Sequence, residues 1–315
     1  KRQLFNVLHS VSAGEEAHEG VVRLQDYARR GVGTRKLRVL VADDNPTNRE
    51  VLGRILEKGG HEATLVADGE QALDAIERDH FDIALLDRNM PVMGGFEALQ
   101  AMRLLSGPGA GLPIVILSAD VTPEARRECL DAGADAFLAK PVEAARLLEQ
   151  IQGMTSGKAL AETPQPQIAQ VPAQMARGGE IASGFDAVVN SETIAHLEEL
   201  GSSAAFLEKL IGVYLSDSTA LLAKIETALG GRNIQEFRAH LHALKGSSAS
   251  MGTDRLTALC TQLGKLSDAE MRLQAPGLFK AISAELAAAR VELPDHVVDL
   301  LAVGGAADGL RGDDR

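Results

Sequence analysis

Several polar residues of the chain directly follow short apolar runs, and their types suit the handling of charge. The runs cover residues 37–42, 83–86, 114–117 and 136–138. The polar residues that come after them are Asp43, Asp44, Asp87, Ser118 and Lys140. If the runs are parallel strands, their carboxyl ends meet at one edge of the sheet, where ligands bind. The sequence therefore predicts one site that combines three carboxylates, a hydroxyl and an amine.

Three converging carboxylates repel one another and need a compensating cation. Two unit charges about 4 Å apart cost roughly 4 kcal/mol at an effective dielectric constant of about 20. Oxygen ligands suit a hard ion such as Mg²⁺, while Lys140 adds a second positive centre and Ser118 a hydroxyl donor. Such a set of groups can stabilise a transferring phosphoryl group. Mg²⁺-dependent phosphoryl chemistry is therefore the hypothesis for this site.

A second candidate lies in the later part of the chain, at His242. Arg238, Lys245 and Gly246 stand at i−4, i+3 and i+4 from His242, so a helix would place all of them on its face. Two cations beside an imidazole suit a phosphorylated ring. A glycine inside a helix costs about 1 kcal/mol relative to alanine, so Gly246 is interpreted as leaving room for a phosphodonor. His242 is expected to be exposed, with a pKa near its ordinary value of about 6.5.

Other residues of the same types are interpreted as structural. A single aspartate beside a strand or helix commonly caps a turn or helix, and Asp68, Asp82 and Asp120 are read in this way. Cys129 is expected to be a small buried hydrophobic residue. His240 lies two residues from His242 on a different helix face and is expected to have no role in the chemistry.

The elements that would position the first site alternate between strands and helices. Predicted strands cover 37–42, 62–66, 83–86, 114–117 and 136–138, and predicted helices cover 48–57, 71–78, 95–105, 124–132 and 143–151. Such alternation favours right-handed βαβ units, and hence a doubly wound α/β domain with a five-stranded parallel sheet.

The remainder of the chain has no strand signals. Proline, glycine, glutamine and alanine between residues 153 and 185 indicate a flexible linker. Helical periodicity at 191–200, 203–229, 233–250, 254–267 and 277–292 predicts an antiparallel helix bundle. The predicted organisation is a connector at 1–36, a first domain at 37–152, the linker at 153–185, the bundle at 186–295 and a disordered tail at 296–315.

Composition limits the partners and the compartment. The chain has 315 residues, which fits about two domains, and a formal net charge of −12, which argues against a nucleic-acid partner. We see no apolar run near the ~20 residues that a membrane span needs. The two cysteines form no disulfide framework, so a reducing cytoplasm is expected.

Four motifs of the first domain resemble the response-regulator receiver family. They are Val41-Ala42-Asp43-Asp44-Asn45, Leu86-Asp87-Arg88-Asn89-Met90-Pro91, Leu117-Ser118-Ala119 and Ala139-Lys140-Pro141. The resemblance spans about residues 37–152 and implies a flavodoxin-like receiver fold. Many relatives carry aspartate where this chain has Gly94, a departure that leaves the chemistry intact. Haloacid-dehalogenase-like phosphatases also use an aspartyl nucleophile, but theirs lies on the first strand in an Asp-x-Asp pattern. In this chain Asp87 follows the third predicted strand and is followed by Arg88 and Asn89, which argues against that class.

The receiver resemblance implies a role for each site residue. Asp87 would accept the phosphoryl group, and Ser118 and Lys140 would contact its oxygens. Asp43, Asp44 and the backbone carbonyl of Asn89 would hold Mg²⁺ together with Asp87. Phe137 occupies the position of the family's switch aromatic, which works with Ser118, although it could equally be core filler.

The run His242-Ala243-Leu244-Lys245-Gly246-Ser247-Ser248 resembles the histidine phosphotransfer (Hpt) family. The resemblance covers about residues 186–295. It implies that His242 is the residue that carries the phosphoryl group, with Lys245 in support and Gly246 permitting access.

A receiver, a linker and an Hpt domain in this order resemble the tail of hybrid sensor histidine kinases, above all those of diffusible-signal-factor quorum sensing. The resemblance implies a parent in the inner membrane, with an upstream kinase core and with this tail in the cytoplasm. It implies a relay from a kinase histidine to Asp87, then to His242, then to a separate response regulator. Since no ATP-binding module is visible here, the chain alone should not autophosphorylate. The alternative is an interaction module that sequesters a partner, such as a quorum-signal synthase, through an exposed apolar patch.

Overall fold

The first domain is built on a five-stranded parallel sheet. The computed structural model describes residues 35–105, 111–155, 187–201 and 203–308. The strands are β1 (Arg38–Ala42), β2 (Glu62–Val66), β3 (Ile83–Asp87), β4 (Ile114–Ser118) and β5 (Ala136–Ala139). Their order in the sheet is β2-β1-β3-β4-β5, and every pairing is parallel. The doubly wound α/β prediction is therefore confirmed.

Helices cover both faces of this sheet. They are α1 (Pro46–Lys58), α2 (Gly69–Arg78), α3 (Gly95–Leu104), α4 (Pro123–Asp131) and α5 (Ala144–Thr155). Apolar residues of α1 and α5 pack with Val39, Val41 and Leu85 on one face. Residues of α2, α3 and α4, including Cys129, pack with Leu40 and Leu86 on the other. Strands buried on both faces explain why β1, β3 and β4 read as continuous apolar runs in the sequence.

Among the described residues, five helices form the second domain, and the prediction of a helix bundle is confirmed. They are α6 (Ser191–Gly201), α7 (Ala204–Gly230), α8 (Ile234–Ser250), α9 (Asp254–Leu263) and α10 (Asp268–Asp308). One stripe of α8 is buried, since Phe237, Leu241, Leu244 and Ser248 are at most 2% exposed. This stripe turns His242 away from the core of the bundle and towards its flank.

Two helix ends differ from the sequence expectation. Helix α5 continues to Thr155, with Gly153 buried, although the linker was predicted to start at 153. Helix α10 runs through Pro276 and Pro294 to Asp308, into the predicted tail. Tertiary packing holds this helix despite the prolines, because its apolar residues Met271, Leu278, Ile282, Leu286 and Leu293 are buried. The predicted connector, except for its last two residues, and most of the predicted linker lie outside the described residues.

The single-residue caps behave as the sequence predicts. The Asp68 carboxylate accepts a hydrogen bond from the Gln71 amide and caps α2. Asp82 accepts from the Arg38 amide at 2.8 Å, and Asp120 accepts from the Thr122 amide at 3.0 Å. Within the described residues, no helix has the length and apolar character that a membrane crossing requires.

We expect the His61 side chain to contribute a loss of stability in mild acid. Its side chain is 6% exposed, burial lowers its pKa, and neither ring nitrogen has a hydrogen-bond partner among the described residues. In the unfolded chain His61 takes up a proton near pH 6.5, whereas burial opposes this protonation in the folded chain. The contribution of His61 to stability is therefore present above about pH 6.5 and is lost as the pH falls below that value. Urea unfolding at pH 7.5 and pH 5.5 measures the loss.

His61→Leu should lose less stability than the wild type between these two pH values. The matched control is His80→Leu, because His80 is exposed. Equal losses for wild type and His61→Leu would contradict the assignment to His61.

Candidate functional site

The sheet brings the predicted polar residues to one edge. Asp43 and Asp44 follow β1, Asp87 ends β3 and Lys140 follows β5. The register pairs Ala42 with Leu86, and it sets Ser118 beside Ala139, so all of these strands end at the same level. One oxygen from each of the three carboxylates lies within 4.8 Å of the others.

Lys140 bridges two of the carboxylates. Its Nζ lies 2.6 Å from Asp43 Oδ2 and 2.9 Å from Asp87 Oδ2, and its side chain is 11% exposed. Burial alone would lower the pKa of Lys140, but the charges of Asp43 and Asp87 outweigh burial and raise the pKa. Lys140 is therefore a fixed positive charge at the acceptor oxygen of Asp87.

The acidic cluster carries more negative charge than Lys140 neutralises. Burial, followed by the charges of Asp43 and Asp87, raises the pKa of Asp44 to about 7. Burial and the Asp43 charge also raise the pKa of Asp87, against the opposing effect of Lys140. A divalent cation relieves this repulsion, and a donor set made only of carboxylate oxygens matches a hard metal ion. The residues present therefore fit a metal site.

Three further predicted residues surround the cluster. The Asn89 amide donates to Asp87 Oδ1 at 3.4 Å, so the chain turns back over the carboxylate. Ser118 is fully buried, and its Oγ accepts from the Asp120 amide at 3.1 Å. Phe137 is 7% exposed and packs in the apolar cluster beneath the sheet. Its role as a switch stays a prediction.

The two candidate sites meet in the structure. His242 Nε2 lies 3.4 Å from Asn89 Nδ2, at the rim of the site that holds Asp87. Contrary to expectation, His242 is not exposed with an ordinary pKa. Burial lowers its pKa, and the charges of Lys140 and Lys245 lower it further. The neutral imidazole, with a lone pair on one nitrogen, is therefore the favoured form.

The neighbours of His242 on α8 divide into two groups. Lys245 lies near enough to act electrostatically on the ring, as the sequence predicts. Arg238 does not, because its guanidinium binds the Gly264 and Leu266 carbonyls and the Asp268 carboxylate. A Cβ on Gly246 would meet Asn48 Nδ2 at 3.8 Å, an ordinary contact distance. Gly246 thus lies directly against α1.

Sequence reasoning missed the polar residues that join the two domains around this site. Asn45 Nδ2 donates to Asp217 Oδ2 at 3.2 Å, and Ser250 Oγ donates to Asn48 Oδ1 at 2.8 Å. Asn48 Nδ2 also lies 3.3 Å from Asp43 Oδ1. The α8 helix therefore sits over the strand ends through contacts that reach the acidic cluster itself. No pattern within either domain signals such pairs.

A strand-end cluster of carboxylates that faces a histidine of a helix bundle is the arrangement of a phosphorelay protein. Residues 39–152 match the response regulator receiver domain family, and residues 209–292 match the Hpt domain family. The chain therefore belongs to the two-component signalling proteins that join a receiver domain to an Hpt domain.

The chain is similar to sensor proteins of two-component systems. It is 34% identical to the sensory/regulatory protein RpfC of Xanthomonas campestris pv. campestris, over 82% of this chain and 35% of the relative. It is 28% identical to the sensor protein GacS of Pseudomonas syringae pv. syringae, over 73% of this chain and 24% of the relative. The chain thus spans about a third or less of the length of these relatives.

One solved structure similar to the first domain is the receiver domain of a sensor histidine kinase from Pseudomonas aeruginosa. The identity is 35%, and the match covers 39% of this chain and 99% of the other, with a TM-score of 0.37. That structure is described with a magnesium ion coordinated in its active-site cleft.

Proposed function

We propose that Asp87 accepts a phosphoryl group from the histidine of an upstream kinase core and that His242 then takes it for delivery to a separate response regulator. The observation that carries this proposal is the position of His242 Nε2, 3.4 Å from Asn89 Nδ2 at the rim of the Asp87 site. This position brings a nucleophilic ring nitrogen of the bundle next to the residue that follows Asp87 by two positions.

The transfer step follows from the groups that are present. The Nε2 lone pair of His242 attacks the phosphorus of the aspartyl phosphate, and an N–P bond forms. The bond from phosphorus to the Asp87 oxygen breaks, and its electron pair returns to the carboxylate. Burial and the charges of Lys140 and Lys245 favour the neutral ring. The Asn89 side-chain Nδ2 can only donate, so its contact favours the tautomer in which Nε2 keeps a free lone pair. Lys140, 2.9 Å from Asp87 Oδ2, stabilises the charge that develops on the oxygens.

Asp43, Asp44 and Asp87, with the Asn89 carbonyl, would hold Mg²⁺. When bound, the ion would neutralise charge on the phosphoryl oxygens. Support comes from the carboxylate oxygens within 4.8 Å of one another and from the raised pKa of Asp44. Ser118 would contact a phosphoryl oxygen from the end of β4, where it is fully buried beside the cluster.

Asp44→Asn should weaken Mg²⁺ binding by on the order of tenfold or more, because it removes a charged ligand. The wild-type affinity should also rise between about pH 6 and pH 8, since protons compete with the metal at a carboxyl whose pKa is about 7. The variant should show less of this rise. Calorimetric titration with Mg²⁺ measures both effects, and Asp68→Asn is the control because Asp68 caps α2. Equal affinities would remove Asp44 from the metal site.

The relay itself can be tested with the chain, Mg²⁺ and labelled acetyl phosphate, which donates to aspartate without a kinase. Two kinds of label should form. One is an acyl phosphate that hydroxylamine removes, and the other is a phosphohistidine that withstands alkali and is lost in acid. Label of the acyl type alone, at every time and concentration, would contradict the relay.

The rest of the pathway follows from the relatives. We propose that the parent protein lies in the inner membrane, that this part faces the cytoplasm, and that its partners are an upstream kinase core and a downstream response regulator. The alternative role, in which the receiver sequesters a quorum-signal synthase, stays a prediction that no contact among the described residues favours.

A further inference from the structure

We infer that the Hpt bundle docks on the receiver of its own chain, that Arg54 is the residue that fixes this docking, and that transfer from Asp87 to His242 is consequently intramolecular. The inference rests on the proposed relay and adds the surface and the specificity residue that the relay uses. The docking surface consists of receiver helix α1 and the bundle helices α6, α7 and α8, all of which contact α1.

An apolar strip forms the middle of the docking surface. Leu52 and Ile55 of α1 are 3% and 1% exposed, and they belong to the same buried cluster as Leu197 and Leu200 of α6. Apolar contact of this kind holds the domains together but does not by itself fix their rotation, because it is non-directional. Directional contacts must align His242 with the acceptor site.

Arg54 supplies the most directional of these contacts. Its Nε and one terminal nitrogen donate to the carbonyls of Leu200 and Gly201, at 3.2 Å and 2.6 Å. These carbonyls end α6, where the last helical carbonyls lack partners within the helix and the helix dipole is negative. The guanidinium also lies 5.6 Å from the centre of the Phe206 ring, at the start of α7. One side chain of the receiver thus holds the junction of two bundle helices.

Three further contacts support this alignment. Lys58 donates to the Glu199 carbonyl, next to the Arg54 contacts. Lys209 of α7 pairs with Glu50 at 2.8 Å, and Ser250 of α8 bonds Asn48. Because α1 contacts α6, α7 and α8, these contacts fix the rotation of the bundle relative to the receiver, with His242 over the strand ends. Helix α6 lies outside the Hpt family match at 209–292, so the Arg54 contact is an addition to the matched domain.

The docking must also be reversible. Both the upstream histidine and the downstream receiver need surfaces that the docked arrangement covers, namely the Asp87 site and the face of His242. A cavity of about 600 Å³ lies between α1 and α6 and borders Asp43 and Lys140. The atoms that line such a void lose part of their packing energy. The interface is therefore weaker, as expected for two domains that must separate in each round of phosphoryl transfer. Residues 156–186 join the domains covalently and raise their effective concentration towards the millimolar range.

The first test compares transfer within one chain with transfer between two chains. Acetyl phosphate labels Asp87 of the wild-type chain, and the rate at which label reaches His242 is followed from about 0.1 to 10 µM protein. A mixture of Asp87→Asn and His242→Gln chains can transfer only between molecules. The wild-type rate should not change with dilution, and at 1 µM it should exceed the rate of the mixture by about 10²-fold or more.

A wild-type rate that falls on dilution in parallel with the mixture would overturn intramolecular docking while leaving the relay intact. Acyl label that never reaches His242 in either sample would overturn the relay, and the docking inference with it. The two failures are therefore distinguishable.

The second test addresses Arg54. Arg54→Ala should slow transfer at 1 µM about tenfold or more, because a charge-assisted contact to buried carbonyls is lost. Labelling of Asp87 by acetyl phosphate should stay at the wild-type rate. Arg127→Ala is the matched control, since Arg127 is 84% exposed and pairs only with Asp131 among the described residues. Wild-type transfer in Arg54→Ala would overturn the assignment.

A charge exchange shows whether the same surface acts as a docking surface or merely supports the fold. Glu50→Lys should slow transfer severalfold, in line with the value of exposed ion pairs. Glu50→Lys combined with Lys209→Glu should restore it. If the double variant is no faster than Glu50→Lys alone, the Glu50–Lys209 contact takes no part in transfer and the docking geometry is wrong.

Discussion

Asp87→Asn is expected to remove phosphoryl label from both domains, with a fall of at least about 10³-fold in the labelling of the chain by acetyl phosphate. An amide oxygen cannot form the acyl phosphate, so nothing is available for His242 to attack. Loss of label at His242, although that residue is unchanged, is the decisive part of the result. Quantitative phosphoprotein gels with hydroxylamine and alkali treatment measure both sites.

The Asp87→Asn variant should still fold. The raised pKa of Asp87 shows that its ionised form is disfavoured where it stands, and Asp43 remains as a partner for Lys140 at 2.6 Å. Thermal unfolding and circular dichroism should therefore match the wild type closely. Asp74→Asn is the matched control, because Asp74 is an exposed residue of α2 paired with Arg78. Full acyl labelling in Asp87→Asn would place the acceptor elsewhere.

The acidic site could be predicted from the sequence because topology alone brings it together. In a parallel sheet every strand ends at the same edge, so Asp43, Asp87 and Lys140 needed only correct strands to become neighbours. Strands β1, β3 and β4 are easy to recognise, since burial on both faces turns them into continuous apolar runs. Short-range rules therefore sufficed for this half of the chemistry.

The meeting of the two domains could not be predicted in the same way. Helical spacing places His242 and Lys245 on one face of α8, but it gives no information on what packs against that face. Arg238 looked like a partner of the ring because of its spacing, yet it binds carbonyls after α9 instead. The contacts of Arg54 with α6 are equally hidden from the sequence. The acceptors are backbone carbonyls, which carry no signal in the sequence.

His242→Gln should leave Asp87 labelled but stop the label there. The glutamine amide can still contact Asn89, so docking should persist, but an amide nitrogen has no free lone pair for attack on phosphorus. We expect the alkali-stable phosphohistidine label to fall by at least about 10³-fold, with no delivery to a downstream regulator.

The acyl phosphate of Asp87 should also accumulate in His242→Gln, because its route to the bundle is closed. His240→Gln is the matched control, as His240 lies on the same helix two residues away, and it should relay like the wild type. Because Asp87 and His242 belong to separate domains with their own apolar cores, the loss of one nucleophile should spare the chemistry of the other. If His242→Gln feeds the regulator as fast as the wild type, the bundle serves only for docking and His242 is not the relay residue.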